Sequence, residues 1–160
     1  MKRPFSFYVL FVFVFLAIGK SIESPFLKVG AIRIFEKYNI SFAYDITIGL
    51  SIFGGIGLLY ALTRRNTWGY QLGLIWLWNG ILSTVFMAIV SIFDKDLFVN
   101  LMIERRISQG REYHRIAAFV NSQMYEIIMV GAFLVMLLIG FLFLRKVIRH
   151  KDFFSNPSAL

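Results

Sequence analysis

Long apolar runs separated by short basic or mixed-charge segments set the reading of this chain. Four runs occupy about 5–22, 40–62, 70–93 and 116–144. Roughly twenty helical residues cover ~30 Å of hydrocarbon at ~1.5 Å rise each, so runs of this length are expected to cross a bilayer as helices. The pattern predicts an all-α integral membrane protein, a four-transmembrane-helix bundle forming a single membrane domain over 1–160. The segment 145–160 reads as a polar basic tail that ends disordered.

The first run follows Lys2–Arg3 and passes Ala17-Ile18-Gly19, the layout of a secretory signal peptide with a small-residue cleavage site. Three further spans follow it, which favours a retained signal-anchor reaching Ile22, with Lys20 snorkelling to the interface. Two stretches between spans keep helical periodicity. In Ser24–Tyr38, Ser24 suits an N-cap and Pro25 a first helical residue, and Leu27, Ala31, Ile34, Phe35 and Tyr38 share one face. In 94–115, Leu97, Phe98, Leu101 and Met102 do the same until Gly110. Both are expected to be amphipathic surface helices in the extracytoplasmic loops. The sequon Asn39-Ile40-Ser41 abuts a span too closely to be read as more than chance. Ala43, Thr47, Ser51 and Gly55 form a small-residue stripe in the second span, and Gly80, Thr84 and Ala88 form one in the third. Facing stripes of this kind let helices approach closely in lipid, so the two spans are expected to pack stripe against stripe as an antiparallel hairpin joined by the basic turn 63–69.

Composition agrees with the pattern: 58% of residues are hydrophobic and 16% charged, with 18 Phe and 3 Trp, and the mean hydropathy is +0.70. Four spans leave no room for a separate soluble domain. The formal charge of +8 comes from Lys and Arg scattered at span ends, where they anchor helices, so anionic lipid rather than nucleic acid is the expected electrostatic partner. The absence of cysteine excludes disulfides, thiolate catalysis and thiolate metal sites. Positive charge divides almost evenly, with eight Lys/Arg on the side holding both termini and nine on the other. The eight are packed against span ends with only Asp152 nearby, whereas the nine are diluted by six acids. Both termini are therefore expected to be cytoplasmic.

Candidate chemistry is sparse. Gly49-Leu50-Ser51-Ile52-Phe53 lacks the final glycine of a nucleophile elbow, and His114 and His150 lie in distant basic segments. No pattern with metal-ligand spacing occurs, so no catalytic residue, cofactor or metal is assigned. Intramembrane carboxylates usually have a purpose. The two in apolar runs are Asp45, after Tyr44, and Glu126, after Tyr125. Each precedes a basic pair by nineteen residues, or ~28 Å of helix, which puts both acids at the outer rim. There Arg105, Arg106, Arg111 and Arg115 are available as partners, and the tyrosines suit the interfacial aromatic belt. At an offset of 81, Ser41, Tyr44, Ile46 and Arg64 recur as Ser122, Tyr125, Ile127 and Arg145, an echo that duplication or convergence both explain. Near the midplane the polar residues are Ser51, Asn79, Ser83 and Thr84, none ionisable, which suits helix–helix hydrogen bonds better than coupled transport. The expected function is a non-enzymatic subunit or accessory protein that engages another membrane protein or itself. The alternatives are a small transporter or channel using Asp45 and Glu126, and a lipid-modifying enzyme using these acids with the loop arginines.

Overall fold

The computed structural model describes residues 5–27, 31–108, 110 and 122–155. Its elements are α1 (Phe5–Leu27), α2 (Ala31–Lys37), α3 (Ser41–Arg64), α4 (Thr67–Phe93), α5 (Lys95–Ser108), α6 (Gln123–Arg149) and α7 (Lys151–Ser155), with no strand among the described residues. Among the described residues three helices are long and apolar enough to cross a membrane: α3, α4 and the Ile127–Arg149 part of α6. The apolar stretch searched in α1, Phe7–Ser21, is shorter. The expected break at Ser24–Pro25 does not occur, because α1 runs through both residues to Leu27. Proline's fixed φ is compatible with the helix, although inside a helix it forfeits one backbone hydrogen bond and crowds the preceding turn. The expected surface helix is correspondingly reduced to α2.

The α3–α4 hairpin is the most closely packed pair, and glycine makes it so. A Cβ on Gly69 would lie 2.5 Å from the Gly57 carbonyl oxygen, and one on Gly73 would lie 2.5 Å from Leu58 Cδ1. A Cβ on Gly54 would lie 2.9 Å from Trp76 Cβ. The face that α4 presents is thus Gly69, Gly73 and Trp76 rather than the expected stripe of Gly80, Thr84 and Ala88. Nothing lies within 4 Å of the Gly80 Cβ position. The connection is also tighter than the expected 63–69 turn, because only Arg65 and Asn66 separate the helices. Arg65 adopts the left-handed conformation at φ 53°, and the Asn66 side chain caps α4 by accepting from Gly69 N–H at 3.0 Å.

α1 lies on α3, with Ile18 against Gly55 and the buried stripe Phe7, Leu10, Val14 and Ile18 joining the main core. α6 packs on α4 and meets α1 at the Phe13–Phe143 ring pair, 5.8 Å between centroids. The apolar run expected from about 116 to 144 falls on α6, which spans Gln123 to Arg149, and 116–121 lie outside the described residues. Its extension removes most of the expected polar tail: Arg145–Arg149 continue the helix, and α7 folds back so that Phe153 and Phe154 are buried beside Phe7 and Tyr70. Two adjacent phenylalanines bury enough apolar surface to dock a five-residue helix that has no stability of its own. The ends therefore differ. One carries the α3–α4 turn, the start of α1 and α7, and is basic; the other carries α2 and α5 and is capped by them.

Candidate functional site

At the capped end, α2 and α5 cover a second core. Ile34 is fully buried against Val90, Phe98 and Leu101, with Leu97 and Met102 packed around them. The α5 positions named from periodicity are therefore the ones that pack. Asn39 closes α2 at φ 55°, with Ile40 N–H donating to Phe35 O at 2.9 Å and Asn39 N–H to Glu36 O at 3.0 Å, a Schellman-type stop. Two ion pairs tie this cap together. One nitrogen of the Arg33 guanidinium, Nη1, donates to both Glu104 carboxylate oxygens at 2.7 Å. Lys37 pairs with Asp94, whose Oδ2 also accepts from Tyr38 Oη at 3.1 Å. The hydrogen bond from Lys37 holds the Asp94 carboxyl below its usual range, helped by Tyr38. The same bond holds the Lys37 ammonium above its usual value. Desolvation, and then the bond to Asp94, raises the Tyr38 phenol. These acids and bases are not the expected set. Pairing across 57 and 71 residues of sequence leaves no local signal in the chain; proximity arises only once α2 and α5 fold over the same core.

The tyrosine–acid echo has a clear placement for its tyrosines. Tyr44 and Tyr125 are both buried, at 5% exposure, rather than facing a lipid belt. Tyr44 stacks near Phe35 of α2, with 5.6 Å between ring centroids, and Tyr125 lies against Val99 and Ile103 of α5. Each thus seats the surface helix that precedes its own span. Asp45 is exposed on α3 and forms no ion pair among the described residues. The side chains of Glu126, Arg105 and Arg106 lie outside what is described, as do Arg111 and Arg115 altogether. A cavity of about 240 Å³ opens beside Tyr125, between Ser91, Ile92, Lys95, Phe98 and Met129.

In mid-span, Asn79 of α4 donates through Nδ2 to Thr47 O at 3.1 Å and Ser51 Oγ at 3.0 Å of α3. The α3 stripe therefore does face α4, through a polar clasp. Thr84 returns its hydroxyl to Gly80 O at 2.8 Å, an intrahelical bond. Ser83 is half-buried. Asn79, Ser51 and Thr84 thus have partners within or between the two helices.

At the basic end Arg65, 7% exposed, places its guanidinium 4.8 Å from the Phe153 ring centroid, a cation–π contact that holds α7 down. His150 closes α6 with Nδ1 2.9 Å from Lys146 O and its ring edge-on to Phe7 at 5.5 Å. Arg64, Arg145 and Arg149 are exposed. Among the described residues none of the three is paired with a carboxylate. No group of three metal-ligating side chains converges among the described residues. No protein-family model, curated protein or solved structure matches the chain.

Proposed function

We propose that α1 crosses the bilayer with α3, α4 and α6, giving a four-span bundle with α2 and α5 on the extracytoplasmic side and both termini in the cytoplasm. The 23 residues of α1 reach ~35 Å, its core stripe packs on α3, and its other faces carry exposed Val9, Val12, Phe15 and Leu16. The chain acts as a non-enzymatic accessory subunit that offers this bundle to a second membrane protein or to another copy of itself.

The observation that carries this reading is the lateral openness of α6. Only 6% of its apolar window is buried, against 33% in α3 and 22% in α4. A helix in a closed four-helix bundle packs against two neighbours. Here α6 leans on α4 and leaves a notch of about 80 Å³ toward α1, bordered by Phe13, Trp76, Gly80, Gly140 and Phe143. Leu134, Val135, Leu138 and Leu142 face outward.

Because the chain has no cysteine, single cysteines at Leu134 and Leu138 can carry a cross-linker in native membranes. The expected product is one discrete adduct of fixed stoichiometry, absent from a control at Phe53 on α3. A chain that stays monomeric in membranes and in mild detergent, with equal labelling at all three positions, overturns the proposal. Accessibility of cysteines at Asp152 and Asn100 to an impermeant reagent tests the topology separately.

A further inference from the structure

The two ends of the molecule treat charge differently. At the capped end the basic side chains Arg33 and Lys37 are neutralised by Glu104 and Asp94. At the basic end, six basic residues among those described (Arg64, Arg65, Arg145, Lys146, Arg149 and Lys151) accompany one acid, Asp152. Arg65 is engaged by Phe153 and buried. Arg145 and Arg149 stand one helical turn apart on the exposed flank of α6, and neither is paired with a described carboxylate. Residues four apart lie on one face, so the two guanidinium groups can converge on one anion. The same flank of α6 offers a shallow, open apolar surface on which Phe141 and Ile148 are exposed beside the two arginines. A pair of planar five-donor cations at the end of an exposed apolar helix face matches a phosphate with a hydrocarbon tail.

We propose that this flank of α6 is a binding site for one anionic phospholipid. The phosphodiester sits between Arg145 and Arg149, and an acyl chain lies along the exposed side chains of Phe141 and Ile148. Charge complementarity selects the occupant: an apolar partner helix would have to cover two unneutralised arginines, and a zwitterionic lipid would bring a cation to the same place. The site depends on α6 crossing the bilayer, and not on the accessory-subunit reading, so a chain with no protein partner can still hold its lipid.

The test is native mass spectrometry of the full chain released from mild detergent after equilibration with phosphatidylglycerol or phosphatidylcholine. One phosphatidylglycerol per chain should be retained in preference to phosphatidylcholine. Each arginine near an anionic surface contributes about a fivefold change in retention, so Arg145→Gln with Arg149→Gln should lower it about thirtyfold. Arg64→Gln, at the same end but away from this surface, should leave it unchanged. Arg145→Lys with Arg149→Lys keeps the charge while losing the planar fork, and should fall in between. Both arginines are exposed, so the melting temperature of the double glutamine variant should match the parent. Equal retention of the two lipids overturns the proposal, as does an equal loss in Arg64→Gln. Displacement of the lipid by millimolar inorganic phosphate would likewise overturn it, because the apolar surface would then contribute nothing.

Discussion

Replacing Gly69 by alanine isolates the close approach of α3 and α4. The new Cβ would stand 2.5 Å from the Gly57 carbonyl oxygen, 2.9 Å from Ala61 Cβ and 3.0 Å from Ala61 N. Two of these three atoms are backbone, so relief requires the helices to move apart by most of an ångström. Overpacking of this kind costs about 1–3 kcal/mol. Alanine's better helix propensity returns up to ~1 kcal/mol, and less in a first turn. Gly131 supplies the control, since nothing lies within 4 Å of its Cβ position and Gly131→Ala keeps the whole propensity gain. The two variants should therefore differ by about 1–4 kcal/mol. For a chain of this size that corresponds to roughly 2–16 °C in melting temperature. Gly73→Ala should lie between them, because its nearest obstacle is Leu58 Cδ1, the tip of a flexible side chain. Tryptophan fluorescence of the three purified variants during heating in one detergent reads the difference. If Gly69→Ala melts at or above Gly131→Ala, the hairpin is not packed through its glycines.

Three further outcomes are expected. Asn79→Leu removes both bonds to α3 and should cost ~0.6–2 kcal/mol in the same assay, whereas Ser51→Ala leaves the Thr47 carbonyl as acceptor and should cost less. Phe154→Ala deletes a fully buried ring whose loss in a core costs about 3–5 kcal/mol. That exceeds what α7 can contribute, so the helix should undock, seen as rapid tryptic cleavage at Lys151 with little change in the main melting transition. The Lys37–Asp94 clasp fixes a pH window. Asp94, held below its usual value, contributes stability above its unfolded pKa and loses it as pH falls through the depressed folded value. Lys37, held above its usual value, contributes below its unfolded pKa and loses it as pH rises through the raised folded value. Protection factors of α2, with the intrinsic pH dependence of exchange divided out, should accordingly be flat from about pH 5 to 9, and Asp94→Asn should abolish any acid-side step below pH ~4.

The local parts of this fold are written in the chain, and the long-range parts are not. Ile34, Phe98 and Leu101 announce their burial through helical spacing, because amphipathicity is a property of neighbouring residues. Small-residue stripes identify which faces can approach, not which do. α4 begins at Thr67, three residues before the apolar run suggested, and this brings Gly69 into the helix as a contact residue while Gly80 faces open space. Phe153 and Phe154 looked like part of a tail because a five-residue helix has no periodicity to detect; their docking depends on Phe7 and Tyr70, more than eighty residues away in sequence. For the same reason Asp45 stood out as an acid in an apolar run, while the acids that form the clasps, Asp94 and Glu104, looked like ordinary loop charges.

The two-residue turn at Arg65–Asn66 bears on how the chain is made. A connection this short, with Arg65 in the left-handed region and buried, couples the placement of α3 to that of α4. Under the topology proposed above, the two helices are expected to enter the bilayer together as a helical hairpin with its basic tip on the cytoplasmic side. A flexible insertion between Arg65 and Asn66 would uncouple the two insertion events, and would do so before any mature contact existed to be disturbed.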